Sequence, residues 1–247
     1  MKLKVLGTQS PYCTLGHNCP GFLISDDENC IMLDCGSGTH RSLEIPKDLK
    51  NFHVFLTHLH EDHYNDIGIL QYASFCNHNL NRIVNPIHIY LPSSPVDKYQ
   101  KIINEENSFA TYHVISASKI FHIGNMNITF MKTKHPIETY AIKISNREKT
   151  IVYTSDLSFS SKNEIVEFSK DADLLICESS LLTSCGFPEI NSHLTAKQAG
   201  TIAKEANVKL LILTHFWPDE SPHNFVIEAK TVFDNSIAAT ENQVFYL

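Results

Sequence analysis

The sequence predicts an α/β fold, and three observations carry that prediction. Short apolar runs alternate along the chain with longer segments of helical periodicity. Chemistry-bearing residues recur where the apolar runs stop: His58 after Val54-Phe55-Leu56-Thr57, Asp156 after Ile151-Val152-Tyr153-Thr154-Ser155, Glu178 after Leu174-Leu175-Ile176-Cys177, and His215 after Leu211-Ile212-Leu213-Thr214. In α/β sheets ligands converge beyond the carboxyl ends of strands, so four runs ending this way point to one shared rim. Finally, no Pro/Gly/Ser-rich linker or low-complexity run divides the 247 residues, so 1–247 reads as a single domain.

In chain order, residues 2–6, 22–24, 30–34 and 52–56 read as strands of a β meander, because each is apolar and bounded by Gly, Pro, Asn or Asp. The first helical pattern covers 67–76. A strand follows at 87–91, then a helix from 96 to 106, opened by Pro95. Strands are expected at 119–123, 127–131, 140–144 and 150–154, with a helix at 161–169 and a strand at 173–177. Thr195-Ala196-Lys197-Gln198 is a capping-box sequence that opens a helix to Ala206, with Ala199, Ile202, Ala203 and Ala206 on one face. A strand at 209–213, a helix at 223–233 and a closing strand at 244–247 complete the chain.

Composition narrows the class. Hydrophobic residues make up 43% and charged residues 19%, which suits a globular chain with a sizeable core. A formal net charge of −7 lacks the basic footprint of a nucleic-acid-coating surface. The seven Cys (13, 19, 30, 35, 76, 177, 185) show neither CxxC nor finger spacing and read as reduced thiols. The apolar part of Met1 to Gly7 is too short for a signal peptide, and no run approaches a membrane span. A cytoplasmic protein is expected, with no membrane partner. A homodimer is compatible with the sequence and not demanded by it.

The chemistry concentrates at His58-Leu59-His60-Glu61-Asp62-His63, directly after an apolar run. Imidazole suits zinc and a carboxylate can bridge two ions, so this spacing reads as a metal loop rather than a solvated polar one. Two ions need about seven protein ligands. The remaining candidates are His135, Asp156 and His215. Taken alone, His135 would read as a surface or core histidine, Asp156 as a helix N-cap and His215 as a packed strand end. Beside the first loop each reads as a ligand. The division is His58, His60 and His135 on one zinc, and Asp62, His63 and His215 on the other, with Asp156 bridging. No Cys is needed, which suits an open site where a hydroxide between ions about 3.5–4 Å apart is the nucleophile. Manganese or iron are the expected substitutes. Cys35-Gly36-Ser37-Gly38 reads as a Gly turn or a phosphate cradle. His17, His40, His78, His88, His113 and His122 lack a comparable setting.

His58, His60, Asp62 and His63 match the HxHxDH signature, and the chain resembles the metallo-β-lactamase superfamily along essentially its whole length. Lys4 to Thr8, Leu33-Asp34-Cys35-Gly36 and the later His135, Asp156 and His215 fall in that family's order. Leu175 to Glu178 and Ser192 to Ala196 resemble segments of ribonuclease Z and its phosphodiesterase relatives. The resemblance implies a four-layer αββα sandwich, two zinc ions and phosphodiester hydrolysis, with Glu178 and His193 beside the metals and Asp62 both binding zinc and orienting the nucleophile. Ribonuclease Z usually inserts a long basic arm between the positions of His135 and Asp156; here twenty residues intervene. The expected substrate is therefore a small or flexible phosphodiester, without stable tRNA binding. The alternatives are hydrolysis of a carboxylic ester, thioester or lactone on the same site, and a metal-bearing binding or sensor protein that turns nothing over.

Overall fold

The computed structural model describes residues 1–26, 28–185 and 192–247. Among the described residues there are fourteen strands: β1 (Lys2–Gly7), β2 (Gly21–Ser25), β3 (Cys30–Leu33), β4 (Phe52–Phe55), β5 (Ile87–Leu91), β6 (Ala110–Val114) and β7 (Ile120–Ile123) in the first part of the chain. They continue as β8 (Met126–Lys132), β9 (Tyr140–Ser145), β10 (Thr150–Tyr153), β11 (Leu174–Glu178), β12 (Leu211–Thr214), β13 (Ser236–Ala238) and β14 (Val244–Tyr246). The helices are α1 (Glu61–Tyr64), α2 (Ile67–Asn79), α3 (Val96–Ile103), α4 (Lys162–Phe168), α5 (Ala196–Glu205) and α6 (Pro222–Lys230). Two compact units result, one of Met1–Thr8, Tyr12–Ile115 and Thr240–Leu247, the other of Gln9–Pro11 and Ser116–Ala239.

The first unit holds a seven-stranded sheet in the order β14-β1-β2-β3-β4-β5-β6. Strands β1 to β3 form the expected antiparallel meander, but β4 does not extend it. It pairs β3 in parallel, with Met32 opposite Val54, and β5 and β6 follow in parallel. Parallel pairing brings the ends of β3 and β4 to the same edge, so that Asp34 and the His58 loop emerge together. One face of the sheet packs Leu23, Met32, Val54 and Ile89 against Ile67 and Leu70 of α2 and Ile102 of α3. His53, His88 and His113 carry no part in that cluster. They form a ladder of their own with Tyr90, stacked at 4.9 Å (His53–His88) and 5.4 Å (His88–His113). Burial, reinforced by the neighbouring imidazoles, pushes His53 down to about 4. Strand β6 escapes the sequence reading because it is a half-exposed edge strand without a fully buried residue.

The second unit holds the sheet β13-β12-β11-β10-β9-β8-β7, in which β10 to β13 run parallel. Asp156, Glu178 and His215 therefore lie at the carboxyl ends of three adjacent parallel strands. Leu175 and Leu213 pack against Ala199, Ile202 and Ala203 of α5 and Phe225 and Ala229 of α6. A Cβ at Gly200 would stand 2.8 Å from the Ala229 carbonyl oxygen, so only glycine permits this approach of α5 to α6. The capping box forms as the sequence predicts: the Thr195 side chain accepts from the Gln198 amide while Gln198 Oε1 accepts from the Thr195 amide.

Among the described residues no helix is long and apolar enough to cross a membrane. Cys13, Cys19, Cys30, Cys35, Cys76 and Cys177 are free thiols, and the side chain of Cys185 lies outside the described residues.

Candidate metal centre

In the first unit the loop is built on Asp34, a fully buried carboxylate just past β3 whose backbone takes a left-handed φ of 55°. Its Oδ1 accepts the Thr57 amide at 2.8 Å, and Oδ2 accepts the Thr57 hydroxyl at 2.9 Å. The same Oδ2 lies 2.7 Å from His63 Nδ1. A hydroxyl has one proton, and here it goes to the carboxylate. His58 Nδ1, 3.1 Å from Thr57 Oγ1, is therefore the donor of that contact. The opposite nitrogens then face inward: His58 Nε2 is 3.1 Å from His60 Nδ1, and His63 Nε2 is 3.5 Å from Asp62 Oδ2. His58 and His63 are fully buried.

The Gly turn seats this loop. The Cys35 amide donates to the His63 carbonyl at 2.7 Å and the Gly36 amide to that of Pro20 at 3.1 Å. A Cβ at Gly36 would collide with the Asp62 carbonyl. Two of the turn's four amides are thus committed to backbone, and its role is close packing under the loop rather than an anion cradle built from those donors.

The second unit gathers the other candidates around Asp156, which follows Ser155 at φ 53°. His215 Nε2 stands 3.1 Å from Asp156 Oδ1, and His135 Nε2 stands 3.7 Å from Oδ2. His193 Nδ1 is 3.9 Å from the same Oδ2. Asp156, His193 and His215 each offer a ligand atom within 4.8 Å of the others. Outward, His135 Nδ1 bonds the Ser192 carbonyl at 3.2 Å and His215 Nδ1 bonds Ser180 Oγ at 2.7 Å. His58, His63, His135 and His215 therefore share one arrangement: Nδ1 is held by the protein and Nε2 is turned toward a carboxylate or another imidazole. That is how metal-ligating histidines are oriented. Burial holds His135 below the usual imidazole range despite the nearby Asp156, favouring the neutral form that binds metal.

Glu178, 1% exposed, is the hub behind this group. It accepts the amides of Leu157 at 2.8 Å and Leu194 at 3.1 Å, and both its oxygens lie 3.2 Å from His193 Nδ1. The His193 side chain is 24% exposed, whereas that of Glu178 is enclosed at 1%. Burial alone would lower His193, but the charge and hydrogen bond of Glu178, with Asp156 adding, leave it above the usual imidazole range.

The residues singled out in the sequence thus form two groups: His58, His60, Asp62 and His63 in one unit, and His135, Asp156, Glu178, His193 and His215 in the other. Sequence reading assigned no supporting role to Asp34, Thr57 or Ser180. Asp34 did carry a signal, since it ends the run Ile31-Met32-Leu33 as His58 ends its own. Other histidines set aside in the sequence sit in local contacts: His17 by Glu241 at 3.6 Å, His40 on Asp66 at 2.6 Å, His78 stacked on Phe109 at 3.7 Å, and His122 on Asn127 at 2.7 Å. Imidazole nitrogens and carboxylate oxygens, without a thiolate, are a donor set that fits a divalent metal ion.

Fold and donor set define a metal-dependent hydrolase class, and comparison with known proteins specifies it. A family model described as a beta-lactamase superfamily domain matches residues 29–216, and the chain belongs to that superfamily as a metallo-hydrolase with the metallo-β-lactamase fold. It is 33% identical to the probable metallo-hydrolase YhfI of Bacillus subtilis, over 96% of each chain. The crystal structure of YhfI superposes with a TM-score of 0.91 at 30% identity, covering 99% of this chain and 98% of that one. A ribonuclease Z of Protochlamydia amoebophila is 27% identical, over 97% of this chain and 94% of its own. That match extends over 293 residues, more than the 247 present here, so the relative carries inserted sequence.

Proposed function

We propose that this chain is a binuclear zinc phosphodiesterase of the ribonuclease Z-like kind, acting in the cytoplasm on a small or flexible phosphodiester. His58, His60 and His135 would hold one ion, Asp62, His63 and His215 the other, with Asp156 shared between them. The ions, when bound, supply Lewis acidity and an activated water. The observation that carries the phosphodiester reading is the Glu178–His193 pair beside Asp156. Glu178 accepts the hydrogen bond of His193 Nδ1–H and favours the protonated ring, which would then donate its Nε2 proton to the leaving oxygen. Asp62 would orient the attacking water as well as bind metal. Acyl transfer to water makes less use of such a second acid–base group, so the pair favours phosphorus over a carboxylic ester, thioester or lactone. The ribonuclease Z relatives support the same choice. The short segment between His135 and Asp156 and the charge of −7 speak against a tRNA grip.

The metal-loaded protein should hydrolyse an aryl phosphodiester faster than the matching monoester, a β-lactam, a thioester or a lactone, in parallel initial-rate assays. Rapid hydrolysis of a thioester or lactone with the diester inert would transfer the assignment to acyl chemistry. Absence of turnover on every substrate, with metals bound, would favour a sensor.

A further inference from the structure

We infer that Ser180 is a positioning residue that sets the tautomer of His215 and ties it to the Glu178–His193 pair. Ser180 Oγ lies 2.9 Å from Glu178 Oε2 and 2.7 Å from His215 Nδ1, with the residue almost fully buried. The hydroxyl has one proton for two partners. A carboxylate oxygen only accepts, so giving the proton to His215 would set two lone pairs face to face at 2.9 Å. The proton therefore goes to Glu178, and His215 must donate Nδ1–H to Ser180. The ring is then fixed with its Nε2 toward Asp156 Oδ1, 3.1 Å away, where a metal would stand between the two in place of a proton. Thr57 does the same between Asp34 and His58 in the other unit, so a hydroxyl-bridged carboxylate and imidazole recurs among the described residues.

The inference rests on the reading of His215 as a ligand, and it gives Glu178 a second task. One carboxylate orients His193 directly and His215 through Ser180. Removing the hydroxyl leaves His215 free to place its proton on Nε2, the form that cannot ligate through that atom. Loss of such an outer partner typically costs roughly 10–100-fold in metal affinity.

Long-range 1H–15N NMR of the chelator-treated protein, with His215 signals assigned by their loss in His215→Ala, reads the tautomer without substrate or metal. Wild type and Ser180→Thr should keep a proton on Nδ1, and Ser180→Ala should lose it in part to the form protonated on Nε2 alone. In competition with a chromogenic chelator, Ser180→Ala should bind zinc roughly 10–100-fold more weakly, and Ser180→Thr should recover most of the loss. A His215 Nδ1 without its proton in wild type would overturn the inference, as would wild-type affinity in Ser180→Ala or an equal loss in Ser180→Thr. Should Ser180→Ala fail to fold, the spectra of wild type and Ser180→Thr decide alone. A protein inert toward phosphodiesters with these shifts intact would count against the proposed reaction and leave the role of Ser180 standing.

Discussion

His193→Ala is expected to retain its metal and its fold while turnover falls by roughly 10²–10⁴, the range typical of a lost acid–base group. The ring of His193 is held through Nδ1 by both oxygens of Glu178, and it is the partly exposed member of its group. It is also not needed to complete the seven proposed ligands. The loss should be largest for a diester with an alkoxide leaving group and should shrink for nitrophenolate, which hardly needs protonation. Near-wild-type turnover of the alkoxide diester would remove the proton-donor role. Metal loss would instead make His193 a ligand, a role its 3.9 Å approach to Asp156 also allows.

His60→Ala should lose metal and activity together. His60 Nδ1 lies 3.1 Å from His58 Nε2, so the two rings aim their nitrogens at a common point. Removing one donor of the set strips an ion and the water it activates. Elemental analysis and diester assays on the same preparation check this, and full activity at unchanged metal content would dismiss the HxH pair as ligands. The core is not expected to suffer, because His60 is half-buried and lies outside the cluster beneath α2.

What could be read in advance follows the range of the interaction involved. Local patterns were legible: the capping box at Thr195, the run that became β5 with the predicted bounds, and the spacing of His58 to His63. The polar residues at strand ends were legible too, since a parallel strand shows its buried run and its exit in consecutive residues. Features that depend on a distant partner were not. Asp34 supports His63 across 29 residues and Ser180 supports His215 across 35, and neither spacing is visible along the chain. The switch from meander to parallel pairing at β4 was equally hidden, because an apolar strand does not encode its neighbour's direction. β6 was lost for a different reason, as the pattern of an edge strand is diluted by its exposed positions.

Metal stoichiometry tests the proposed binuclear centre most directly. Protein purified without chelator, then saturated with zinc and desalted, should carry two equivalents per chain. His58→Ala in the first unit and His135→Ala in the second should each deplete the same single ion, and the double variant should lose no more than either alone. One equivalent that persists at saturation, or additive losses in the double variant, would contradict a shared binuclear centre.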